Sequence, residues 1–302
     1  MITLRQIRSV VAVVEEQSFT RAAQRENATQ SGISQHVAAV EQALGLPLFL
    51  RGPDGVTPTP AGQRYYTQCI EALRLLEQAS GEARAAGGAI SGKIRAGLIP
   101  ALTRAALAPA LDRFAAAHPG VEIEVIEGYS GALTDMVRAE ALDFALVPGF
   151  SGQTGLKVTP LVRSREMLLS RPGQGLENLG PVALASLPPL HLIVPARANI
   201  RRAKIEEYLE TNGIRVARLL DMDAMLGTLE LVANSDWVTI LPWIIAGPDA
   251  QAGGVVRTVS PLIDPPLYSD FVVIEPARRP LAPEGHLFLD EIRRDLDGLQ
   301  EP

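Results

Sequence analysis

Apolar positions recur at helical spacing from the start of the chain. Leu4, Ile7, Val10, Val11 and Val14 mark a first helix that ends near Glu16. Ser18 is a suitable N-cap for a second, short helix running through Ala22 and Ala23 to about Arg25. Thr29 caps a third. Its Ile33, Val37, Val40 and Leu44 are spaced 4, 3 and 4, so they form one stripe, which Gly45 stops. Pro47, Leu48 and Phe49 lead into the turn-rich RGPDGVTP, which reads as a hairpin or wing. Thr59 as N-cap and Pro60 at the first helical position open a long helix to about Ala86, stopped by Gly87 and Gly88. Along it Tyr65, Cys69, Ala72, Leu76, Ala79, Ala83 and Ala86 alternate at spacings of 4 and 3. That is a heptad seam of mostly small residues, and it lets two helices approach closely. A helix lying on its own domain would show the same spacing. The dimer seam is preferred because so long a helix lacks an obvious local partner.

From Ser91 the pattern switches to alternating strands and helices. Strands are predicted over Lys93 to Leu98, around Val121, Ile123 and Val125, over Leu142 to Val147, His191 to Val194, Arg215 to Leu220 and Trp237 to Leu241, with a late one over Val272 to Ile274. Helices are predicted over about Thr103 to Ala117, Ala132 to Ala139, Arg201 to Asn212, Ala224 to Ala233 and Pro283 to Leu296. Leu156 to Ser170 reads as mainly extended. This β-α-β-α rhythm predicts parallel sheets with helices on both faces. The extended segments near 160 and 268 point to two lobes joined by crossover strands.

Composition changes the picture in a few places. With 302 residues and 47% hydrophobic content, the chain can bury a sizeable core and is expected to hold more than one domain. One cysteine rules out an internal disulfide framework and a multi-cysteine zinc site, and fits a reducing cytosol. The most apolar run, Trp237 to Ala246, is broken by Pro242 and falls short of the roughly 20 residues of a membrane helix. The apolar stretch Val10 to Val14 is too short for a signal peptide. Charge argues for no partner: up to residue 90 there are eight arginines and eight acids, so the whole chain's −6 belongs to the remainder. A generic nucleic-acid binder would be more basic. A case for DNA therefore rests on arrangement.

The arrangement is favourable. Two short helices joined by a tight turn, the second with small polar residues opposite its apolar stripe, make a helix-turn-helix. The stripe of Ile33, Val37, Val40 and Leu44 would seat the helix, leaving Gln30, Ser31, Ser34, Gln35 and Ala38 outward. Short polar side chains near a helix N-terminus can reach base edges in the major groove, and Thr29 and the helix N-terminus suit a phosphate. Arg51, at the start of the wing, could take a flanking phosphate. His36 either touches DNA or packs beside the wing.

The segment SFTRAAQRENATQSGISQHVAAVEQALGLPLFLR, followed by TPTPAG, resembles the DNA-binding domain of LysR-type transcriptional regulators. The resemblance continues in GKIRAGLI, LAPALDRFAAAHPGVEIEVIEG and LDFALV, which look like the start of that family's effector domain, and in VANSDWVTILP, placed like its late helix-to-strand motif. It implies an α/β multidomain chain: a winged helix-turn-helix over residues 1–58, a dimerising linker helix over 59–90, and a two-lobed, periplasmic-binding-protein-like effector domain over 91–302. Lobe I would comprise about 91–161 and 269–302, and lobe II about 162–268. It also implies a cytoplasmic transcription regulator that binds double-stranded promoter DNA as a homo-oligomer, commonly a dimer of dimers, with a small-molecule co-inducer and RNA polymerase as partners. Departures exist. Gln35, Ala38 and Ala39 stand where many members carry basic residues, and Ser235 and Trp237 where glycines are frequent.

In open α/β sheets, ligands bind beyond the carboxyl ends of strands, near helix N-termini. Pro100, Ala101, Leu102 and Thr103, then Tyr129, Ser130 and Gly131, then Arg197, Asn199 and Ile200 occupy such places, and Val147 and Pro148 end another strand. Exposed helix N–H groups and Arg197 would suit a carboxylate, so the expected effector is anionic. Ser130 and Asn199 are also ordinary N-caps. The four histidines show no ligand spacing, so neither metal nor cofactor is expected. Cys69 reads as a packing residue, and GQGLEN lacks the glycine spacing of a nucleotide loop. No nucleophile motif or P-loop is present, so no enzyme activity is expected. The rival reading is a solute-binding receptor with the same two-lobed cleft; it would require export and leave the N-terminal helices without a use.

Overall fold

The structure is a computed structural model that describes residues 1–52, 55–85, 90–149, 154–197, 199–299 and 301. It falls into two compact units: Met1–Gly88 with Gln153–Lys157 and Pro276–Ala282, and Ala89–Gly152 with Val158–Glu275 and Pro283–Pro302.

The first unit begins with α1 (Leu4–Glu16), whose Thr3 and Gln6 cap each other's backbone in a capping box. Helix α2 (Phe19–Arg25) starts at Ser18, whose hydroxyl accepts from the Arg21 N–H. Asn27, at φ 50°, takes the left-handed conformation that bends the chain sharply before α3 (Gln30–Leu44). Strands β1 (Phe49–Gly52) and β2 (Gly55–Pro58) pair antiparallel, Arg51 facing Val56, and form the wing. Glu41 Oε1 accepts from the N–H groups of Leu48 and Phe49, tying the wing's start to α3. The apolar faces of α1, α2 and α3 close a core around Val10, Val13, Ile33, Val37, Val40 and Leu48. Leu44 is not part of it. At 38% exposure it has passed the end of the contact surface, because the helix stops one residue later at Gly45.

Helix α4 (Pro60–Ala85) grows out of this core. Thr59 donates its hydroxyl to the Pro47 carbonyl at 3.0 Å, and the Gly62 N–H donates to the same hydroxyl at 3.0 Å. Gly62 is required here: a Cβ would lie 2.0 Å from the Leu48 carbonyl oxygen. The predicted seam divides. Tyr65 and Cys69 pack into the unit's own core, whereas Ala72, Leu76 and Ala79 are exposed, Leu76 by 52%. The side chain of Ala83, and Ala86 itself, lie outside the described residues. Ala277 completes the core, the Arg74 guanidinium donates to its carbonyl, and Arg278 pairs with Glu26 at 2.6 Å.

The second unit is built on β3 (Gly92–Leu98), β4 (Val121–Glu127), β5 (Phe144–Pro148), β6 (Leu156–Ser170), β7 (Leu190–Val194), β8 (Val216–Asp221), β9 (Val238–Pro242), β10 (Thr258–Pro261) and β11 (Tyr268–Pro276). Among the described residues they follow the order β4-β3-β5-β11-β6-β9-β7-β8, with β10 paired to β6. Strands β4, β3 and β5 are parallel, as are β9, β7 and β8. The long β6 and β11 lie between the two sets, each antiparallel to its outer neighbour. The sheets are therefore not parallel throughout. The chain has to cross between the halves twice, and each crossing strand arrives from the opposite end.

The predicted helix over Thr103 to Ala117 begins earlier and is interrupted. It comprises α5 (Pro100–Leu102), a π turn (Thr103–Leu107) and α6 (Ala108–Ala117). Pro109 has no N–H for the carbonyl four residues before it, and the wider π turn absorbs that fault. Helices α7 (Ser130–Arg138), α8 (Ile200–Thr211), α9 (Met225–Asn234), α10 (Trp243–Gln251) and α11 (Pro283–Asp297) complete the unit. Helix α10 is absent from the sequence expectations, because its Trp243–Ile245 start prolongs a strand-like run and Pro248 interrupts the helical pattern. Among the described residues no helix is long and apolar enough to cross a membrane.

Candidate functional site

Two surfaces carry chemistry, one in each unit. In the first, Ile33, Val37 and Val40 bury one side of α3, which turns Gln30, Ser31, Gln35 and Ala38 to solvent with Ser34 half-buried beside them. The Thr29 hydroxyl accepts from the Gly32 N–H at 3.1 Å and bonds with Ser31 Oγ at 3.2 Å, so the N-cap is already engaged with its own helix. His36 is half-buried, its Nδ1 at 2.8 Å from Ser9 Oγ. The Ser9 hydroxyl donates to the Arg5 carbonyl. A hydroxyl has one proton to donate, so His36 carries its hydrogen on Nδ1 and donates it to Ser9. His36 thus fastens α3 to α1, leaving only Nε2 for any outer contact. The Arg51 guanidinium lies 4.7 Å over the Phe19 ring, a cation–π seat that fixes the exposed side chain at the wing. Sequence reasoning missed both anchors, since neither Ser9–His36 nor Phe19–Arg51 follows a local spacing.

In the second unit a cavity of ≈ 70 Å³ opens where β3, β5, β7 and β9 end and several helices begin. Of the residues singled out in the sequence, Pro100, Ala101, Tyr129, Ser130, Pro148 and Asn199 line it. The rest do not. Leu102 and Val147 are core residues. The Thr103 hydroxyl donates to the Ile99 carbonyl at 3.3 Å, Gly131 lies one residue past the lining, and Arg197 and Ile200 are exposed outside it. The cation on the cavity wall is instead Arg201, buried beside Asn199. Its guanidinium donates to both oxygens of the buried Glu166, at 2.7 and 3.3 Å, and to the Ile240 carbonyl at 3.2 Å, while the Ser269 hydroxyl donates to Glu166 as well. Nothing in the sequence announced this pair, because its members lie 35 positions apart on a strand and a helix.

The polarity of the wall follows from its helix ends. An α-helix begins with N–H groups that have no carbonyl of their own turn to bond. At α5 the first is missing, since residue 100 is proline, and Leu102 and Thr103 donate to the Ile99 carbonyl. At α7 the N–H groups of Ser130, Gly131 and Ala132 precede the first intrahelical bond, from Leu133 to Tyr129. The Asn199 side-chain Oδ1 accepts from the Arg201 N–H at 3.1 Å, and its side-chain Nδ2 donates to Asp223 at 3.3 Å. Burial first, then the nearby charges of Asp223 and Glu127, push the Tyr129 phenol above its ordinary range. The remaining wall is largely apolar, with Ile193, Met222, Met225, Leu241, Ile245 and Phe271. Among the described residues, no three acidic, histidine or cysteine side chains are grouped so as to hold a metal ion.

This geometry has known counterparts. Residues 4–63 match the model of the bacterial regulatory helix-turn-helix protein of the lysR family, and residues 87–297 match that of the LysR substrate binding domain. The chain is 24% identical over 236 residues to the HTH-type transcriptional regulator CysL of Bacillus subtilis, covering 78% of this chain and 79% of that protein. It is 29% identical over 260 residues to the SDS degradation transcriptional activation protein of a Pseudomonas species, covering 83% and 82%. A hydrogen-peroxide-bound OxyR mutant of Corynebacterium glutamicum superposes with a TM-score of 0.61 at 22% identity, over 99% of this chain and 96% of that one, and so shares the fold.

Proposed function

The chain belongs to the lysR family of bacterial helix-turn-helix regulators and is a DNA-binding transcription regulator with an effector-binding domain, and from that premise we propose which residues do the work. Gln30, Ser31, Ser34 and Gln35 read base edges in the major groove, Thr29 and Arg51 meet the flanking phosphates, and His36 positions the helix through Ser9. The observation that carries this reading is the solvent-facing polar row of α3, held rigid by the buried Ile33, Val37 and Val40 on its other side. Few cations are available, so recognition leans on direct hydrogen bonds, such as a glutamine paired to adenine, more than on phosphate contacts.

Residues 1–58 form the reader, 59–90 the linker and 91–302 the sensor. A carboxylate-bearing effector enters the cavity lined by Ala101, Tyr129, Ser130 and Asn199, with the α7 N-terminus rather than Arg197 receiving the carboxylate. Binding shifts the oligomer only as far as the effector's affinity differs between its two states. The exposed Ala72, Leu76 and Ala79 of α4 meet a second copy, and two such dimers span a two-fold-related promoter site, where RNA polymerase is engaged. In this reading the protein works in the cytoplasm and catalyses no reaction. A mobility-shift assay on the promoter beside its own gene tests the reading: a shift that survives excess unrelated DNA is expected, and complete loss to such competitor would overturn it.

A further inference from the structure

The acids around the effector cavity are not equivalent. Glu166 is held by Arg201, and Asp221, at the end of β8, pairs with Arg202 at 2.5 Å. Asp223 lines the cavity two residues later and, among the described residues, has no ion-pair partner. Its Oδ1 accepts the Ala196 N–H at 3.2 Å and the Asn199 amide at 3.3 Å, both neutral donors. With Arg201 and Glu166 offsetting each other, the wall carries one uncompensated negative charge among the described residues. The same cavity is lined by Ser130, at the start of α7, where the first N–H groups of that helix lie. Ser130 and Thr228 are each 5% exposed and line the cavity, and neither hydroxyl makes a hydrogen bond among the described residues. Hydroxyls on two buried residues that line a cavity and are left without a partner among the described residues are available to a ligand's polar atoms. Asp223 and Tyr129, the residue that precedes α7, line the same cavity, and after burial the Asp223 charge helps to raise the Tyr129 phenol.

We propose that the effector is a zwitterion: an amino-carboxylate whose carboxylate docks on Ser130 and the α7 N-terminus and whose ammonium group pairs with Asp223. This rests on the cleft reading above and adds the second charge. A simple carboxylate would be attracted by the helix end and repelled by Asp223, and a simple amine the reverse. A molecule carrying both charges satisfies both groups and leaves the cavity neutral. The apolar lining from Ile193, Met222, Leu241 and Phe271 selects an apolar remainder, and a volume of ≈ 70 Å³ keeps it small. Asp223 then sets specificity, because a carboxylate left facing a ligand without a donor loses its water and gains nothing.

The test is a thermal-shift and calorimetric titration of the full chain with free leucine, valine, methionine and phenylalanine, beside the same molecules with the amino group replaced by hydroxyl or hydrogen. At least one amino acid should bind, its desamino partner should bind about tenfold more weakly or not at all, and Asp223→Asn should weaken the amino acid by a similar factor. Asn keeps the oxygen that Ala196 and Asn199 use, so folding is retained. Desamino acids that bind the wild type as well as the amino acids, with binding lost in Ser130→Ala, would overturn the ammonium pairing and leave the cleft reading intact. Amino-acid binding unchanged in Asp223→Asn, or no binding by any amino acid, would likewise overturn it. Binding that persists when Thr228→Trp fills the cavity would place the site elsewhere and refute both.

Discussion

Replacing Gly62 by alanine tests how the wing and the linker helix are joined. The added Cβ would sit 2.0 Å from the Leu48 carbonyl oxygen and 3.0 Å from its carbon, well inside the roughly 3.5 Å at which non-bonded atoms rest. The clashing atom is backbone and cannot rotate away. It also accepts the Thr59 N–H at 2.8 Å, while the Thr59 hydroxyl donates to Pro47 at 3.0 Å, so separating the segments strains both bonds. Overpacking of this kind costs about 1–3 kcal/mol, and each weakened hydrogen bond up to about 1 kcal/mol more. Alanine's better helix propensity returns about 1 kcal/mol at most. At mid-range these terms leave a net loss of about 2 kcal/mol, which in a unit of this size lowers Tm by about 10 °C. Thermal unfolding of Gly62→Ala by circular dichroism, beside wild type, measures it, and operator affinity should fall with it. A Tm equal to or above wild type would show that only helix propensity acts here and that the close approach to Leu48 does not constrain the fold.

Gln35→Ala should weaken operator binding by about 1–3 kcal/mol and relax base choice at one position per half-site, whereas Arg51→Ala should weaken all sequences alike and flatten the salt dependence by about one phosphate. Competition shift assays at several salt concentrations separate the two, and an unchanged base preference removes Gln35 from the readers. Leu76→Asp places a charge on the exposed stretch of α4, so sedimentation should show smaller species; a fully oligomeric mutant would mean another surface holds the copies together. Burial raises the Glu15 carboxyl above its ordinary 4.5, against the pull of Arg25 and Arg278 and the Tyr66 and Arg25 hydrogen bonds. A carboxyl raised by folding stabilises fully below its unfolded value, and that contribution is lost as pH rises through the folded value. The Tm of wild type relative to Glu15→Gln should therefore decline as pH is raised from below 4.5, then level off; a constant or rising difference would contradict the burial of this charge.

The local devices of the first unit were legible because each is written in neighbouring residues. Ser18, Thr29 and Thr59 cap the helices that follow them, Gly45 ends α3, and the 4-3 spacing of Ile33, Val37 and Val40 gives the buried face and, by exclusion, the outward Gln30, Ser31 and Gln35. The same spacing misleads at Leu44, because periodicity does not record where the neighbouring surface ends. In the second unit the strand-to-helix junctions that surround the cavity were visible at Pro100, Ser130 and Asn199. What fills that site was not. The pairing of Glu166 with Arg201, and the want of an ion pair at Asp223 among the described residues, depend on which strands become neighbours, and no local pattern encodes that. Helix α10 was hidden for a related reason: with Trp243 to Gly247 all buried, its first half has no polar face to give it a period.

Footprinting of the full chain on the promoter beside its own gene, with wild type and Gln35→Ala in parallel, bears most directly on the claim that α3 reads DNA for this regulator. The account predicts protected half-sites in two-fold register, spaced by about 10 base pairs or a multiple of it, with protection weakened at the same base of each half-site in the mutant. Uniform protection without register, identical for both proteins and removed by unrelated DNA, would contradict it.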